Sequence, residues 1–240
     1  MQSPVLITTA IKPSDTSARL SNVDERLELT LAGLEQLIKF NPGVIFVVCD
    51  GSNFDFSNEI QAIAAKYNCR KWEFLRFQND SRGVVRLGKG YGEGEIIKYA
   101  LHNSRILAES EYFFKCTGKL WVENISEKLS GFNRKAAFCF YGAIRPKMID
   151  TRFYLVEKKF YIEKLIDAHL SVSDRDGFYL EHSFLKILEG SASYSDYISV
   201  NQYAIEGVSG SMGLRYKSSA IKLFLKKVRA LFLIYFIKPL

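Results

Sequence analysis

Short continuous apolar runs alternate along the first half of the chain with segments whose apolar positions recur at helical spacing. Val5-Leu-Ile-Thr-Thr9 reads as a first buried strand. After a polar loop from Lys12 to Asn22, Leu27, Leu29, Leu31, Leu34, Leu37 and Ile38 fill much of one helical face. This predicts a helix from about Val23 to Lys39, capped by Asn22 and broken at Asn41-Pro-Gly43. Val44 to Cys49 is β-branched and aromatic throughout, the pattern of a parallel strand covered on both faces. Asp50-Gly51-Ser52 then turns the chain. A helix from Asn58 to Tyr67, a weaker strand from Trp72 to Phe77, a loop from Gln78 to Gly90, a helix of about Glu93 to Leu107 and a strand at Tyr112 follow.

This alternation predicts an α/β chain with a mostly parallel, Rossmann-like sheet flanked by helices. The second half is more mixed. Strands are expected at Ala136–Tyr141 and Thr151–Glu157, helices at about Lys159–His169 and Tyr179–Leu188, and a short strand within Tyr197–Ile205. Without an internal repeat or a flexible linker, the chain divides into one catalytic-type domain, residues 1–216, and a tail, residues 217–240. In the tail Ile221, Phe224, Leu225, Val228, Leu231, Phe232 and Tyr235 recur at helical spacing, with Lys222, Lys226, Lys227 and Arg229 between them. A basic amphipathic helix with an apolar end suits in-plane binding to an anionic membrane surface. The same pattern also suits a helix packed on the protein's own core with its lysines solvated.

Composition narrows the partners. The 240 residues are 48% hydrophobic and 14% aromatic, which excludes a disordered chain. A formal charge of +7 favours anionic partners: nucleic acid, anionic lipid or phosphorylated substrates. Outside the tail the basic residues are dispersed and no RNA or DNA motif occurs, so nucleic acid ranks last. Cys49, Cys69, Cys116 and Cys139 form no CxxC pair and no zinc pattern. The apolar, strand-like settings of Cys49, Cys116 and Cys139 predict buried free thiols and a reducing cytoplasm. No signal peptide is expected at the N-terminus, and no apolar run of about 20 residues predicts a spanning helix.

The chemistry gathers at strand ends. Tyr112-Phe-Phe-Lys-Cys-Thr-Gly-Lys-Leu-Trp121 carries Lys115, Thr117, Gly118 and Lys119 at a strand's carboxyl end, where open α/β sheets bind ligands. Lysine neutralises phosphate and glycine admits a ligand to the backbone, although a strand followed by a polar turn gives the same letters. Asp50 stands where a carboxylate holds a ribose or base, or forms an ordinary Asp-Gly turn. Arg86-Leu-Gly-Lys-Gly-Tyr-Gly-Glu-Gly-Glu95 opens a helix but is neither a P-loop nor a GxGxxG fingerprint. Glu93 and Glu95 already answer the helix dipole there, which leaves Lys89 as the phosphate candidate and the segment as substrate contact, mobile flap or plain loop. Arg145, Lys147 and Arg152 either neutralise phosphates or solvate a loop. Glu181 is a candidate general base or a helix-capping carboxylate. Ser209-Gly-Ser211 is a weak candidate for a small anion nest. Three histidines, His102, His169 and His182, make no histidine-rich metal site.

The order of an initial strand ending in Thr8-Thr9, Val47-Val-Cys-Asp-Gly-Ser52, Gly88-Lys-Gly-Tyr-Gly-Glu-Gly-Glu95 and Phe114-Lys-Cys-Thr-Gly-Lys119 resembles GT-A-type glycosyltransferases of bacterial surface polysaccharide (O-antigen or capsule) synthesis. It is most similar to a subgroup with Lys-x-Thr-Gly-Arg-Tyr where other GT-A enzymes carry Asp-x-Asp. Asp150-Thr-Arg152, Glu181-His182 and Gly207-Val-Ser-Gly210 also fit, and the resemblance runs from about Val5 to Tyr216. The chain departs from it at Gly118-Lys119-Leu120, which keeps the charge but loses the bidentate fork of arginine.

The resemblance implies a GT-A-like domain that moves a hexose from a nucleotide-sugar donor to a growing, lipid-linked glycan, beside other transferases at the inner face of the cytoplasmic membrane. On that reading Glu181, Lys115 and Lys119 are catalytic. Thr8, Thr9, Asp50, Lys89, Gly90, Thr117, Gly118 and Arg152 bind the donor. A divalent Mg or Mn ion is the usual partner of the diphosphate, but the strand end has no Asp-x-Asp to hold it. Asp174-Arg-Asp176 has that spelling in a later loop. No metal ligand is therefore assigned, and the lysines stand in as stabilisers of the leaving diphosphate. The rival expectation is a noncatalytic nucleotide- or polyanion-binding module.

Overall fold

In the computed structural model, which describes residues 3–14, 20–123, 125, 132, 135–208, 213, 215–216 and 219–237, the sheet is built outward from β1 (Val5–Thr9) and β2 (Phe46–Asp50). Every residue of both strands is buried. Full burial of a Val, Leu, Ile or Phe side chain contributes about 1.5–3 kcal/mol, so these two strands belong in the middle of the molecule. β3 (Trp72–Arg76) has no fully buried residue and forms the edge. β4 (Tyr112–Thr117) lies on the other side of β1. β5 (Leu120–Val122), β6 (Ala136–Ala137), β7 (Phe140–Tyr141), β8 (Met148–Ile149) and β9 (Phe153–Glu157) follow in the chain. The main sheet has the order β3-β2-β1-β4-β9-β6; the first four strands are parallel, and β9 and β6 run antiparallel to their neighbours.

Helices cover both faces. α1 (Val23–Phe40) starts at Asn22, whose side chain accepts from Glu25 N–H at 2.9 Å. Its buried face runs through Arg26, Thr30, Gly33, Leu34 and Leu37. Gly33 lies against the backbone of Lys119, where a Cβ would come within 3.0 Å. α2 (Ser57–Lys66) shares that core with Phe46, Phe56 and Phe114. The opposite core holds Leu6, Val47, Phe113 and Tyr154 together with α4 (Lys89–Asn103).

The segment expected to be a loop from Gln78 to Gly90 contains a helix, α3 (Ser81–Leu87), and α4 begins at Lys89 rather than Glu93. The glycine-rich stretch is therefore helical, not a flap. Gly90, Gly92 and Gly94 are buried, and a Cβ on Gly94 would meet His169 Cβ at 2.1 Å. These glycines permit close packing. α4 ends at Ser104, and α5 (Arg105–Ala108) follows. The helix expected from Lys159 to His169 is broken into α6 (Lys158–Phe160), a π-helical turn at Tyr161–Leu165 and a 3-10 turn at Ala168–Ser171. α7 (Leu180–Glu189) matches its expectation, and α8 (Tyr194–Tyr197) is short. The strand expected within Tyr197–Ile205 is instead β10 (Ile205–Val208), which pairs with β5 and with β11 (Arg215–Tyr216).

α9 (Ala220–Phe236) docks on the core through Ala230 and Leu233, both fully buried. Ile221, Phe224, Leu225, Val228, Phe232, Tyr235 and Phe236 remain exposed. At 100° per residue they form one stripe about 120° wide, facing away from the docked side. No helix among the described residues is long and apolar enough to cross a membrane. All four cysteines are buried and free, as the settings of Cys49, Cys116 and Cys139 predicted; Cys69 joins them.

Candidate active site

The register of the sheet sets the site. Thr8 is level with Thr117, and Thr9 with Asp50, so all four stand at the carboxyl ends of their strands. The chain builds from β1 toward β3 on one side and returns to β4 on the other, which makes the gap between β1 and β4 the switch point where such sheets bind ligands. A cleft of about 920 Å³ opens there, lined by Thr8, Thr9, Lys89, Thr117, Gly118, Lys119, Arg152 and Glu181 among others. Eight of the eleven site residues expected from the sequence are thus brought to one cleft. Asp50, Lys115 and Gly90 are not in its lining.

Lys119 stands out. It follows β4 in a left-handed conformation, φ 72°, that costs a non-glycine residue of order 1 kcal/mol. Gly33 on one side and Gly207 on the other press on its backbone. Its side chain is 5% exposed and lines the cleft. Among the described residues the ammonium has neither a hydrogen bond nor an ion pair. Burial, and secondarily the charge of Arg26, lowers its pKa to about 7, with Asp50 opposing. Arg26 also lines the cleft. Its guanidinium is buried and donates to the carbonyls of Ala10, at 2.9 and 2.6 Å, and Leu20, at 2.8 Å. Two buried basic side chains, Lys119 and Arg26, thus meet at one cleft. Gly118 brings β4 close to β1: its N–H donates to Thr8 O at 2.8 Å, and a Cβ would come within 2.9 Å of that oxygen. The Thr9 hydroxyl is buried without a partner among the described residues.

Three expectations are corrected. Lys115 is fully buried, and its ammonium is taken by Glu93, by Thr117 Oγ1 at 2.7 Å and by Thr151 O at 2.7 Å. Thr117 and Thr8 also donate to the same Glu93 oxygen, at 3.2 and 3.4 Å. Lys115 therefore holds β4, β9 and α4 together and is not a cation for phosphate. Asp50 is wholly buried and accepts from Ile11 N at 3.0 Å, Ser52 N at 2.8 Å, Ser52 Oγ at 2.6 Å and Phe54 N at 3.1 Å. It shapes the turn after β2 and presents no oxygen to the cleft. Gly90 lies beneath Leu180, where a Cβ would meet the Leu180 side chain at 3.1 Å.

Glu181, near the start of α7, is largely buried and accepts from Thr151 Oγ1 at 3.1 Å. Burial raises its pKa, and Glu93 adds to the rise, the direction that suits a base. Arg152 closes its fork on Asp150, with Nε–Oδ1 at 2.8 Å and Nη2–Oδ2 at 2.7 Å, so its charge is answered inside the protein. Asp174 accepts from Lys89 N–H at 2.9 Å and caps α4. Ser209 to Ser211 lie outside the described residues. Arg26, Glu93, Tyr141 and Tyr216, all in the cleft lining, were not singled out from the sequence as ligand-binding residues. Arg26 was readable: Arg26, Thr30, Gly33, Leu34 and Leu37 keep the spacing of one buried helix face.

No family model matches the chain, and no curated protein matches it. Solved structures do. Over 98% of this chain and 86% of the other, it is similar to core-mannan synthase A from Aspergillus fumigatus in a Mn/GDP form, with a TM-score of 0.54 and 11% sequence identity. Over 85% and 70%, it is similar to the mannosyltransferase Ktr4p from S. cerevisiae in complex with GDP, with a TM-score of 0.52 and 10% identity. At these identities the likeness is one of fold, and the fold is GT-A-like. One of these structures is in a manganese form. Here the end of β4 carries Lys119, and among the described residues no group of three His, Cys, Asp or Glu could hold a metal ion by itself, while the carboxylate residues Glu93, Asp174 and Glu181 line the cleft.

Proposed function

We propose that this chain is a glycosyltransferase that moves a hexosyl group from a nucleotide-sugar donor to a glycan acceptor at an anionic membrane surface. The observation that carries the reading is the buried ammonium of Lys119, without a hydrogen bond or ion pair among the described residues, beside Arg26 at the switch point of a GT-A-like sheet. Donor diphosphate fits there, its charge met by Lys119 and Arg26 and one of its oxygens reached by the Thr9 hydroxyl, with Gly118 leaving space beside the backbone. In the transfer the acceptor hydroxyl oxygen bonds to the anomeric carbon, the bond from that carbon to the diphosphate oxygen breaks, and the electron pair leaves on the diphosphate. Glu181 takes the proton from the acceptor hydroxyl. Fixed cations aimed at the departing oxygen act in the transition state, where they lower the barrier.

Residues 217–240 are the membrane-associating part on this reading. The exposed apolar stripe of α9, flanked by Lys222, Lys227 and Arg229, supports it. A surface polysaccharide is the acceptor class that fits an enzyme at such a surface, and other transferases of the same assembly are its natural neighbours.

The test is transfer from a panel of UDP- and GDP-hexoses to a lipid-linked or alkyl-tagged glycan, with and without EDTA. The expected result is turnover with at least one donor that survives EDTA and falls about 10²–10⁴-fold in Glu181→Gln. Turnover abolished by EDTA contradicts the role given to the two cations. Nucleotide binding without turnover by any donor makes the chain a binding module.

A further inference from the structure

The cleft has a second built surface, which the donor reading leaves unused. Tyr141 and Tyr216 both lie against Arg152, whose guanidinium carbon is 4.5 Å from the Tyr216 ring centroid and 5.7 Å from that of Tyr141. All three line the cleft. The stack is fixed at both ends. The Tyr141 hydroxyl donates to Asp150 Oδ2 at 3.1 Å, the same carboxylate that holds Arg152, and Tyr216 pairs with Gly207 across β10 and β11. Asp150 is 2% exposed.

We propose that Tyr141, Arg152 and Tyr216 form the platform on which a sugar ring of the acceptor glycan lies. The proposal rests on the transferase reading of the same cleft. Three observations select this ligand. Asp150 answers the charge of Arg152, so what the two tyrosines add at this place is flat aromatic surface, which suits the C–H face of a sugar. Arg152 has N–H groups beyond the Nε and Nη2 bonds to Asp150 that meet no acceptor among the described residues, and these suit ring hydroxyls. The platform also adjoins the proposed base. Thr151, the chain neighbour of Arg152, donates to Glu181. An acceptor hydroxyl must lie within hydrogen-bond reach of that carboxylate, so the acceptor sugar belongs here and the nucleoside belongs elsewhere.

The spacing agrees. Tyr216 and Leu120 both pair with Gly207, on opposite sides of β10. Two strand spacings, roughly 10 Å, therefore separate the Tyr216 backbone from the turn that carries Lys119. On this proposal the transferred sugar lies in the cleft between the diphosphate cations and the acceptor ring. The Lys226 ammonium of α9 lies 5.8 Å from the Tyr141 ring centroid, so the platform abuts the helix with the exposed apolar stripe, and a glycan joined to a lipid enters from that side.

The experiment is saturation-transfer NMR of the full chain with octyl glucoside, galactoside and mannoside below their micellar concentrations, in the presence of UDP or GDP. Nucleotide affinity is measured in parallel by calorimetry. The wild type is expected to bind at least one glycoside through its ring protons. Tyr216→Ala should weaken that glycoside tenfold or more while nucleotide affinity stays within twofold, and Tyr216→Phe should bind as the wild type does. Thermal melts establish that each variant folds. The proposal is overturned if the wild type binds none of the three glycosides, if folded Tyr216→Ala binds as tightly as the wild type, or if that variant loses nucleotide instead. Glycoside binding that depends on Tyr216 in a protein with no nucleotide affinity would uphold the platform and defeat the donor reading.

Discussion

Lys115 and Lys119 lie on one short segment and are both buried, yet their surroundings give them different work. Lys115 faces a carboxylate, a hydroxyl and a carbonyl, whereas Lys119 faces a second cation and open space. The sequence displays both lysines with equal weight. It does not display Glu93, 22 positions upstream of Lys115, as a partner, because that contact exists only once α4 packs over β4. The same holds for Asp50, whose hydrogen-bond partners at Ile11 and Phe54 come together only when the chain turns after β2. The unpaired state of Lys119 has a consequence for pH. Its pKa in the unliganded protein is about 7, below the ordinary lysine value of about 10.4. Between those values the unfolded chain binds more protons than the folded one, so this residue makes stability rise with pH across that window and costs stability in full below it. Binding of a diphosphate has the opposite sense, because it favours the protonated ammonium. Calorimetry above pH 7.5, where a diphosphate is fully ionised, should show affinity falling by up to tenfold per pH unit. Lys119→Arg should flatten the profile, and an equally flat wild-type profile would remove Lys119 from the site.

At the scale of elements, strands and long helices were legible wherever apolar spacing is unambiguous: β1, β2, α1, α7 and α9 all form where the pattern predicts them. The misreadings came from glycine and from short pieces. Glycine ordinarily costs a helix about 1 kcal/mol against alanine, so the loop is read as far as Gly90 and the helix only from about Glu93. Here the missing side chains let α4 approach His169, Asn79 and Leu180, and that packing outweighs propensity. Gly94→Ala should accordingly destabilise the fold by about 1–3 kcal/mol, although alanine is the better helix former, because its Cβ would overlap His169. Denaturant unfolding measures this, and a gain in stability would mean that α4 is held more loosely than described. β6, β7, β8 and β11 have two residues each, too few for alternation to register, and their places are fixed by neighbours distant in the chain.

Over the whole molecule, two groups among the 33 lysines and arginines bear on function. Arg26 and Lys119 are buried at the cleft, and the basic residues of α9 flank an exposed apolar stripe. Each basic residue near an anionic surface contributes about 1 kcal/mol, so charge reversal of Lys222, Lys227 and Arg229 should lower affinity for phosphatidylserine-containing vesicles at least a hundredfold and leave nucleotide binding unchanged. Co-sedimentation reads both. Equal binding to neutral and anionic vesicles would contradict the electrostatic part of this attachment. The sequence foresaw the helix and its charge, but only the fold reveals that one face docks through Ala230 and Leu233 while the other stays open, and that Lys226 lies beside Tyr141.

The central claim is that Lys119 and Arg26 hold a diphosphate at the switch point of the sheet. Titration of UDP, GDP and the corresponding monophosphates into the wild type and Lys119→Met at pH 7 tests it most directly. The account predicts that at least one diphosphate binds, that it binds more tightly than its monophosphate, and that Lys119→Met loses this preference while its thermal stability is unchanged or raised, since the variant removes an unpaired buried amine. A folded Lys119→Met that keeps the full preference for the diphosphate, or a wild type that binds neither nucleotide, would contradict it.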